Sequence, residues 1–192
     1  MSVQERKERE RASRERLIVA TARELAERQG WDAVTTRKLA ERIEYSQPVL
    51  YSHFRGKREI IGAVALGGAA ELAEALRSAT AAADGPRARV TALARAYLDF
   101  AERNPAVYDA VFSLDGGLAF AREDTPEPLK DAFAALLECL ADVSGEGVHP
   151  GLFTEVFWAS LHGLATLGRA GRLPSAYVEQ RLELLVDRLA VL

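Results

Sequence analysis

The stretch YSQPVLYSHFRGK, residues 45–57, gathers an amide, four hydroxyl-bearing side chains of two kinds, an imidazole and two cations into thirteen positions. Gln47 can donate and accept at once, Tyr51 and the serines can do either, and Lys57 donates from a full positive charge. This is chemistry for hydrogen bonding to base edges and phosphates, not for breaking covalent bonds. The stretch reads as a helix of only a few residues, with Ser46 able to cap it and Gly56 to close it. Val49 or Leu50, with Phe54, supplies its apolar underside. Gln47, Pro48, Tyr51, Ser52 and His53 are then left largely outward, flanked by Thr36, Arg37, Lys38 and Lys57. Such a set could be the ordinary surface of a small bundle. Tyr, His and Gln crowded on one short face nevertheless favour an external partner, and a DNA major groove admits a helix of this kind.

Other chemistries find little support. The three histidines, His53, His149 and His162, share no helical face and form no HxxxH or HExxH spacing, so no metal site is expected. No Gly-rich phosphate loop and no G-x-S-x-G elbow is present, so neither an enzyme nor a cofactor is expected. Cys139 is the single cysteine, flanked by Leu137 and Leu140 with no cation beside it in sequence, which argues against a reactive sensor thiol.

The elements that must hold these residues are helical almost throughout. Apolar positions recur every three to four residues and strand signals are nearly absent, so the expected fold class is all-α with about nine helices. The charged start of the chain, MSVQERKERERAS, reads as a flexible arm, residues 1–13. Leu17, Thr21 and Leu25, with Ile18, Ala22 and Ala26 beside them, mark the first helix. Gly30 stands where a left-handed terminator belongs, with Trp31 packing back. A short helix follows in TTRKLAERI, capped by Thr35 or Thr36, with Leu39, Ala40 and Ile43 inward and Ala40 small enough for a close crossing. The turn EYS leads into the stretch described above, and Lys57 opens a longer helix to about residue 83. Later breaks fall at DGP 84–86, NP 104–105, GG 116–117, TPEP 125–128, SGEGVHPG 144–151 and GRLP 171–174.

The chain of 192 residues is 48% hydrophobic, enough for a substantial core. Its longest apolar run, residues 60–70, is too short to span a bilayer, and no secretory signal is read at the N-terminus, so a cytoplasmic protein is expected. The net charge of −3 is uneven. Residues 1–60 carry 14 basic and 10 acidic groups, while the rest carry 11 and 18. A basic head on an acidic body suits a protein that meets a polyanion at one end.

Residues 14–62 resemble the DNA-binding domain of the tetracycline-repressor (TetR) family, on the strength of TTRKLAERI, SQPVLYSHF and the following Lys57. The resemblance implies a helix-turn-helix of three helices (residues 14–62) ahead of a helical effector-binding and dimerisation domain (63–192). It implies that Arg37 reaches a guanine edge, Gln47 an adenine and Pro48 a thymine methyl. Thr36, Tyr51, His53 and Lys57 would hold phosphates, and Ser46, Val49 and Ser52 complete the DNA-facing set. Glu44 departs from the family's usual turn glycine. Val49 lacks a hydroxyl often found there, and Ser52 is small where a large aromatic can stand. FWASLHGLATLGRAGRLP resembles a C-terminal domain marked by Trp, His and Gly, here Trp158, His162 and Gly163.

In the body, Phe153, Phe157, Leu161 and Leu164 form one apolar stripe and Val178, Leu182, Leu185 and Leu189 another. Either could be monomer core; paired with their copies they would make the four-helix interface of a homodimer, as the resemblance implies. Tyr97, Phe100, Tyr108, Phe112, Phe133, Trp158 and His162 are candidates for the wall of an effector site taking an apolar or aromatic small molecule, although aromatics at this spacing are also ordinary core. The expected function is a DNA-binding transcriptional regulator, a repressor released from a pseudo-palindromic operator by such an effector. The alternative is a constitutive DNA-binding or scaffolding dimer.

Overall fold

The computed structural model describes residues 2–189, and every regular element among them is helical. The nine α-helices are α1 (Val3–Gln29), α2 (Thr36–Arg42), α3 (Gln47–Tyr51), α4 (Lys57–Ala81), α5 (Pro86–Arg103), α6 (Pro105–Phe112), α7 (Glu127–Leu140), α8 (Pro150–Arg169) and α9 (Val178–Leu189). The breaks fall where the Pro and Gly marks put them: α5, α6 and α8 each open on a proline, whose missing N–H has no partner to lose in a first turn. No described helix is long and apolar enough to cross a membrane.

The N-terminal segment corrects the expectation of a flexible arm over residues 1–13, because α1 is helical from Val3. Ser2 and Glu5 form a capping box: the Ser2 hydroxyl accepts the Glu5 N–H at 3.1 Å and the Glu5 carboxylate accepts the Ser2 N–H at 2.8 Å. Gln4–Glu8, Arg6–Glu10 and Arg11–Glu15 then pair one turn apart. Each such pair contributes about 0.2–0.5 kcal/mol, so the mixed charges that offer no core still supply a helix.

At the other end of α1, Gly30 has φ 78° but ψ 163°, a positive φ as expected with an extended ψ instead of the left-handed helical one. Trp31 is buried and does more than pack back. Its indole N–H donates to the Ala106 carbonyl at 2.8 Å, tying the end of α1 to α6.

The chain forms two compact units, and they are interleaved in sequence: the first comprises residues up to Gly68 plus Asn104–Pro126, the second Ala69–Arg103 plus residues from Glu127 on. A single cut after residue 62 does not describe this. The reason lies in α6, whose N-cap Asn104 makes no side-chain capping bond. Glu27 of α1 caps it instead, accepting the Ala106 and Val107 N–H groups at 3.1 and 3.2 Å, and a carboxylate suits the positive end of a helix. Ile18, Leu25, Leu39, Leu50, Ile60 and Val107 form the centre of this first unit, each almost wholly buried.

In the second unit α5 packs against α7, α8 and α9, enclosing Leu93, Tyr97, Leu140, Phe157, Leu161 and Val186. Arg77 grips α7 with its whole fork, donating to both Asp131 carboxylate oxygens at 2.7 and 3.0 Å and to Glu138 at 3.0 and 3.1 Å.

Candidate nucleic-acid interface

Thr35 caps α2, its hydroxyl accepting the Lys38 N–H at 3.2 Å. The helix ends in a Schellman turn: the Tyr45 N–H reaches the Ala40 carbonyl at 3.0 Å, with Glu44 in the left-handed position at φ 57°. A side chain there costs about 1–2 kcal/mol relative to ordinary helical backbone, the strain expected from the missing turn glycine. The turn brings α3 across α2, where Leu39, Ala40 and Leu50 are buried together at the centre of the first unit.

Ser46 occupies the N-cap of α3, yet its hydroxyl makes no capping bond. Pro48 has no N–H to give it, and the Val49 N–H is taken by the Ser46 carbonyl at 3.1 Å. That hydroxyl therefore stays exposed beside Gln47 and Pro48. One turn on, Tyr51 is 50% exposed and its hydroxyl lies 3.3 Å from the Thr36 hydroxyl, so α2 and α3 present one joint polar edge. Ser52 is exposed with its hydroxyl donating to the Val49 carbonyl at 2.6 Å, while Val49 is half-buried. Arg37 projects from α2 into solvent, paired only with Glu41 at 3.3 Å on its own helix. Half-buried Thr36 and exposed Tyr51 thus meet at one edge, next to exposed Ser46, Gln47 and Pro48, and Arg37 and Ser52 are exposed as well.

His53 does not belong to that surface. Its side chain is 5% exposed and its Nδ1 lies 3.2 Å from a Glu15 carboxylate oxygen on α1. The reason is local: α3 stops at Tyr51, and the His53 N–H closes on the Leu50 carbonyl, which carries the ring past the end of the helix toward α1. Hydrogen bonding from His53 holds the Glu15 carboxyl below its ordinary range, helped by Arg11 and opposed by partial burial. Arg11 also donates to the Ser52 carbonyl at 3.4 Å. Lys57 is half-buried and its ammonium donates to the Trp31 carbonyl, leaving its other N–H bonds for an outside acceptor. Glu15 and Arg11 are the residues that sequence reasoning missed. Their spacing shows only a pair on one helix, and nothing in it says that the pair touches positions 52 and 53.

The aromatic set divides between the units. In the second, the Trp158 indole donates to the Tyr97 hydroxyl at 3.0 Å and meets Phe133 edge to face, ring centroids 6.4 Å apart. Phe100 is buried nearby in sequence, and His162 is half-buried, which lowers its imidazole pKa. Tyr108 and Phe112 instead pair in the first unit, at 4.8 Å. Two of the seven thus lie in the first unit and five in the second. A shallow groove of about 220 Å³ in the second unit is lined by Leu98, Leu164, Leu173, Val178 and Arg181 among others, and by none of the seven.

The proposed partner stripes also need correction. Phe157, Leu161 and Leu182 are wholly buried within the protomer and can face no copy of it. Phe153, Leu164, Leu185 and Leu189 are half-buried, and Val178 is exposed. The outward apolar row runs one residue away, through Leu152, Val156 and Leu167 on α8, with Leu184 on α9. Both faces of α8 are apolar at helical period, so periodicity alone does not say which is turned inward.

Two stretches of the chain match known family descriptions. Residues 18–64 match that of bacterial regulatory proteins of the tetR family, and residues 90–189 match the tetracyclin repressor-like C-terminal domain. The chain belongs to the TetR family. The helix-turn-helix of α2 and α3 lies within the part that matches the family of bacterial regulatory proteins. An uncharacterised HTH-type transcriptional regulator of Bacillus subtilis (strain 168), YobS, is 31% identical over 96 residues, so the chain spans about half the length of this curated relative. Among solved structures, a Rhodococcus sp. RHA1 protein of unknown function superposes with TM-score 0.74 at 25% identity, over 92% of this chain and 94% of that one. A TetR variant from Acinetobacter baumannii AYE in complex with minocycline superposes at TM-score 0.62 and 23% identity, over 90% and 91%.

Proposed function

We propose that this TetR-family chain is a homodimeric repressor that acts in the cytoplasm and leaves a pseudo-palindromic operator when a small apolar or aromatic effector binds its second unit. The observation that carries the reading is the joint edge of α2 and α3, where Gln47, Pro48 and Tyr51 stand exposed over a buried Leu50. Gln47 reads an adenine edge, Arg37 a guanine, and Pro48 a thymine methyl. Thr36, Ser46, Tyr51 and the remaining N–H bonds of Lys57 hold phosphates, with Lys57 at the positive end of α4. Two such edges set about 34–36 Å apart by a twofold partner would read two half-sites. The outward row of Leu152, Val156, Leu167 and Leu184 supports that partner.

For the effector, support comes from the Tyr97–Trp158–Phe133 cluster with His162 one turn along α8 from Trp158. Trp158, His162 and Gly163 also support a second unit of the Trp-His-Gly type, and a solved neighbour holds minocycline. The helix α4 runs from Lys57 in the first unit to Ala81 in the second, which suits it to carry the effector's influence to the DNA-binding end. A specific observation favours the effector-free reading instead: no described buried polar side-chain atom lacks a hydrogen bond, and the Tyr97 hydroxyl is already engaged by Trp158.

The test is to select bound fragments from the source genome and titrate the complex with apolar and aromatic compounds in gel-shift and thermal-shift assays. A repressor of this kind yields at least one compound that raises Tm and weakens operator binding several-fold to a hundredfold, the range given by a coupling of about 1–3 kcal/mol. Compounds that raise Tm without loosening DNA, across the whole panel, would leave only the constitutive dimer.

A further inference from the structure

The amino-terminal half of α1 stands outside the helix-turn-helix that the family description covers, and its charges are arranged unevenly. Each of its acids has an internal partner: Glu5 holds the Ser2 N–H, Glu8 the Gln4 amide, Glu10 Arg6, and Glu15 both His53 and Arg11. Lys7, Arg9, Arg14 and Arg16 have no such partner. Three of the basic residues also fall into line. Lys7, Arg11, Arg14 and Ile18 are spaced at i, i+4, i+7 and i+11, one row along the helix. Ile18 is wholly buried in the first unit, whereas the three cations are exposed. The row that begins as core therefore continues, toward the N-terminus, as positive charge.

Where that row points is fixed by two contacts. Arg11 donates to the carbonyl of Ser52, the residue that ends α3, and Glu15 one turn later holds His53. The row thus passes the C-terminal end of α3 at the level of Arg11, and Lys7 lies one turn, about 6 Å, beyond it. The capping box and the paired charges keep this part helical, so the cations are carried at a set distance from Gln47 and Tyr51.

We propose that the amino-terminal turns of α1 are a second DNA-contacting element, in which Lys7, Arg11 and Arg14 bind phosphates of the duplex flanking the bases read by α3. The occupant is duplex DNA because the row is cationic, residues 2–16 carry six basic groups against four acidic ones, and the row is continuous with the exposed edge of α3. The inference rests on the DNA-binding reading of that edge and extends it beyond the half-site. The contact is to backbone alone, so it adds affinity and salt dependence without adding sequence preference.

The experiment uses the full chain and two duplexes carrying its selected operator. One is trimmed to the bases read by α3, and the other is extended by about one helical turn, 10 base pairs, on each side. Wild-type protein is expected to bind the extended duplex several-fold more tightly. Lys7→Gln with Arg14→Gln should remove that advantage, leave the trimmed duplex and the base preferences unchanged, and lower the slope of log affinity against log salt by about 2 per protomer. Lys7→Arg with Arg14→Lys should restore it, and circular dichroism should show α1 intact in both variants. Equal affinity of the wild type for the two duplexes, or an unchanged salt slope in the glutamine variant, overturns the proposal. Failure of the wild type to bind either duplex would overturn the reading of α3 itself, and the flanking contact with it.

Discussion

Gln47 is a primary amide on the first turn of a helix five residues long, exposed beside a serine whose hydroxyl the helix leaves unused. On the proposed reading, a group so placed reads one base. Gln47→Ala is expected to cost about 1–3 kcal/mol at a single base pair per half-site and to leave other positions unaltered. Competition binding against operators changed one base pair at a time measures this, and an equal loss on every duplex would move Gln47 to the phosphates. The identities along this edge were legible from the sequence, because Tyr, Gln and Pro on one short face have few structural uses. The fate of His53 was not. Whether a ring at the end of a helix faces outward depends on where that helix stops, and the stop at Tyr51, two residues before it, turned His53 onto Glu15. Glu44 shows the opposite case: the missing turn glycine announced strain at one position, and the backbone is left-handed there.

At the scale of elements, α4 is set by two adjacent glycines with opposite roles. A methyl group added at Gly68 would overlap the Val107 side chain on α6, whereas one at Gly67 would meet nothing within 4 Å. Gly68→Ala is expected to destabilise the protein by about 1–3 kcal/mol through overpacking. Gly67→Ala should stabilise it by about 0.5–1 kcal/mol, because alanine loses less backbone entropy on entering a helix. Thermal or denaturant unfolding of the two variants checks both signs. The existence of these helices and most of their ends could be read from Pro, Gly and apolar period. Their partners could not. That Glu27 caps α6, or that Trp31 donates to Ala106, depends on contacts some 75 to 80 residues apart, to which no local pattern is sensitive. The same blindness applies to the stripe on α8: its period marks an apolar face but leaves open whether that face meets the core, where Phe157 and Leu161 lie, or a second copy.

For the whole molecule, the proposed dimer uses the exposed apolar row through Leu152, Val156 and Leu167 to meet a second copy. Val156 is 56% exposed and its neighbour Phe157 is 0%. Val156→Arg should leave the protomer folded yet monomeric in sedimentation velocity, and weaken operator binding because one recognition edge cannot span two half-sites. Phe157→Ala should instead lower stability by about 3–5 kcal/mol, as loss of a core ring does. An unchanged sedimentation coefficient for Val156→Arg would place the contact elsewhere. The interleaved chain also bears on engineering. Because α6 takes its cap from Glu27 and receives the indole of Trp31, the reading head is not a contiguous cassette. A chimera that transplants residues 1–68 alone would carry the recognition edge away from its buttress. Exchange of operator specificity between relatives calls for grafting 104–126 in the same step.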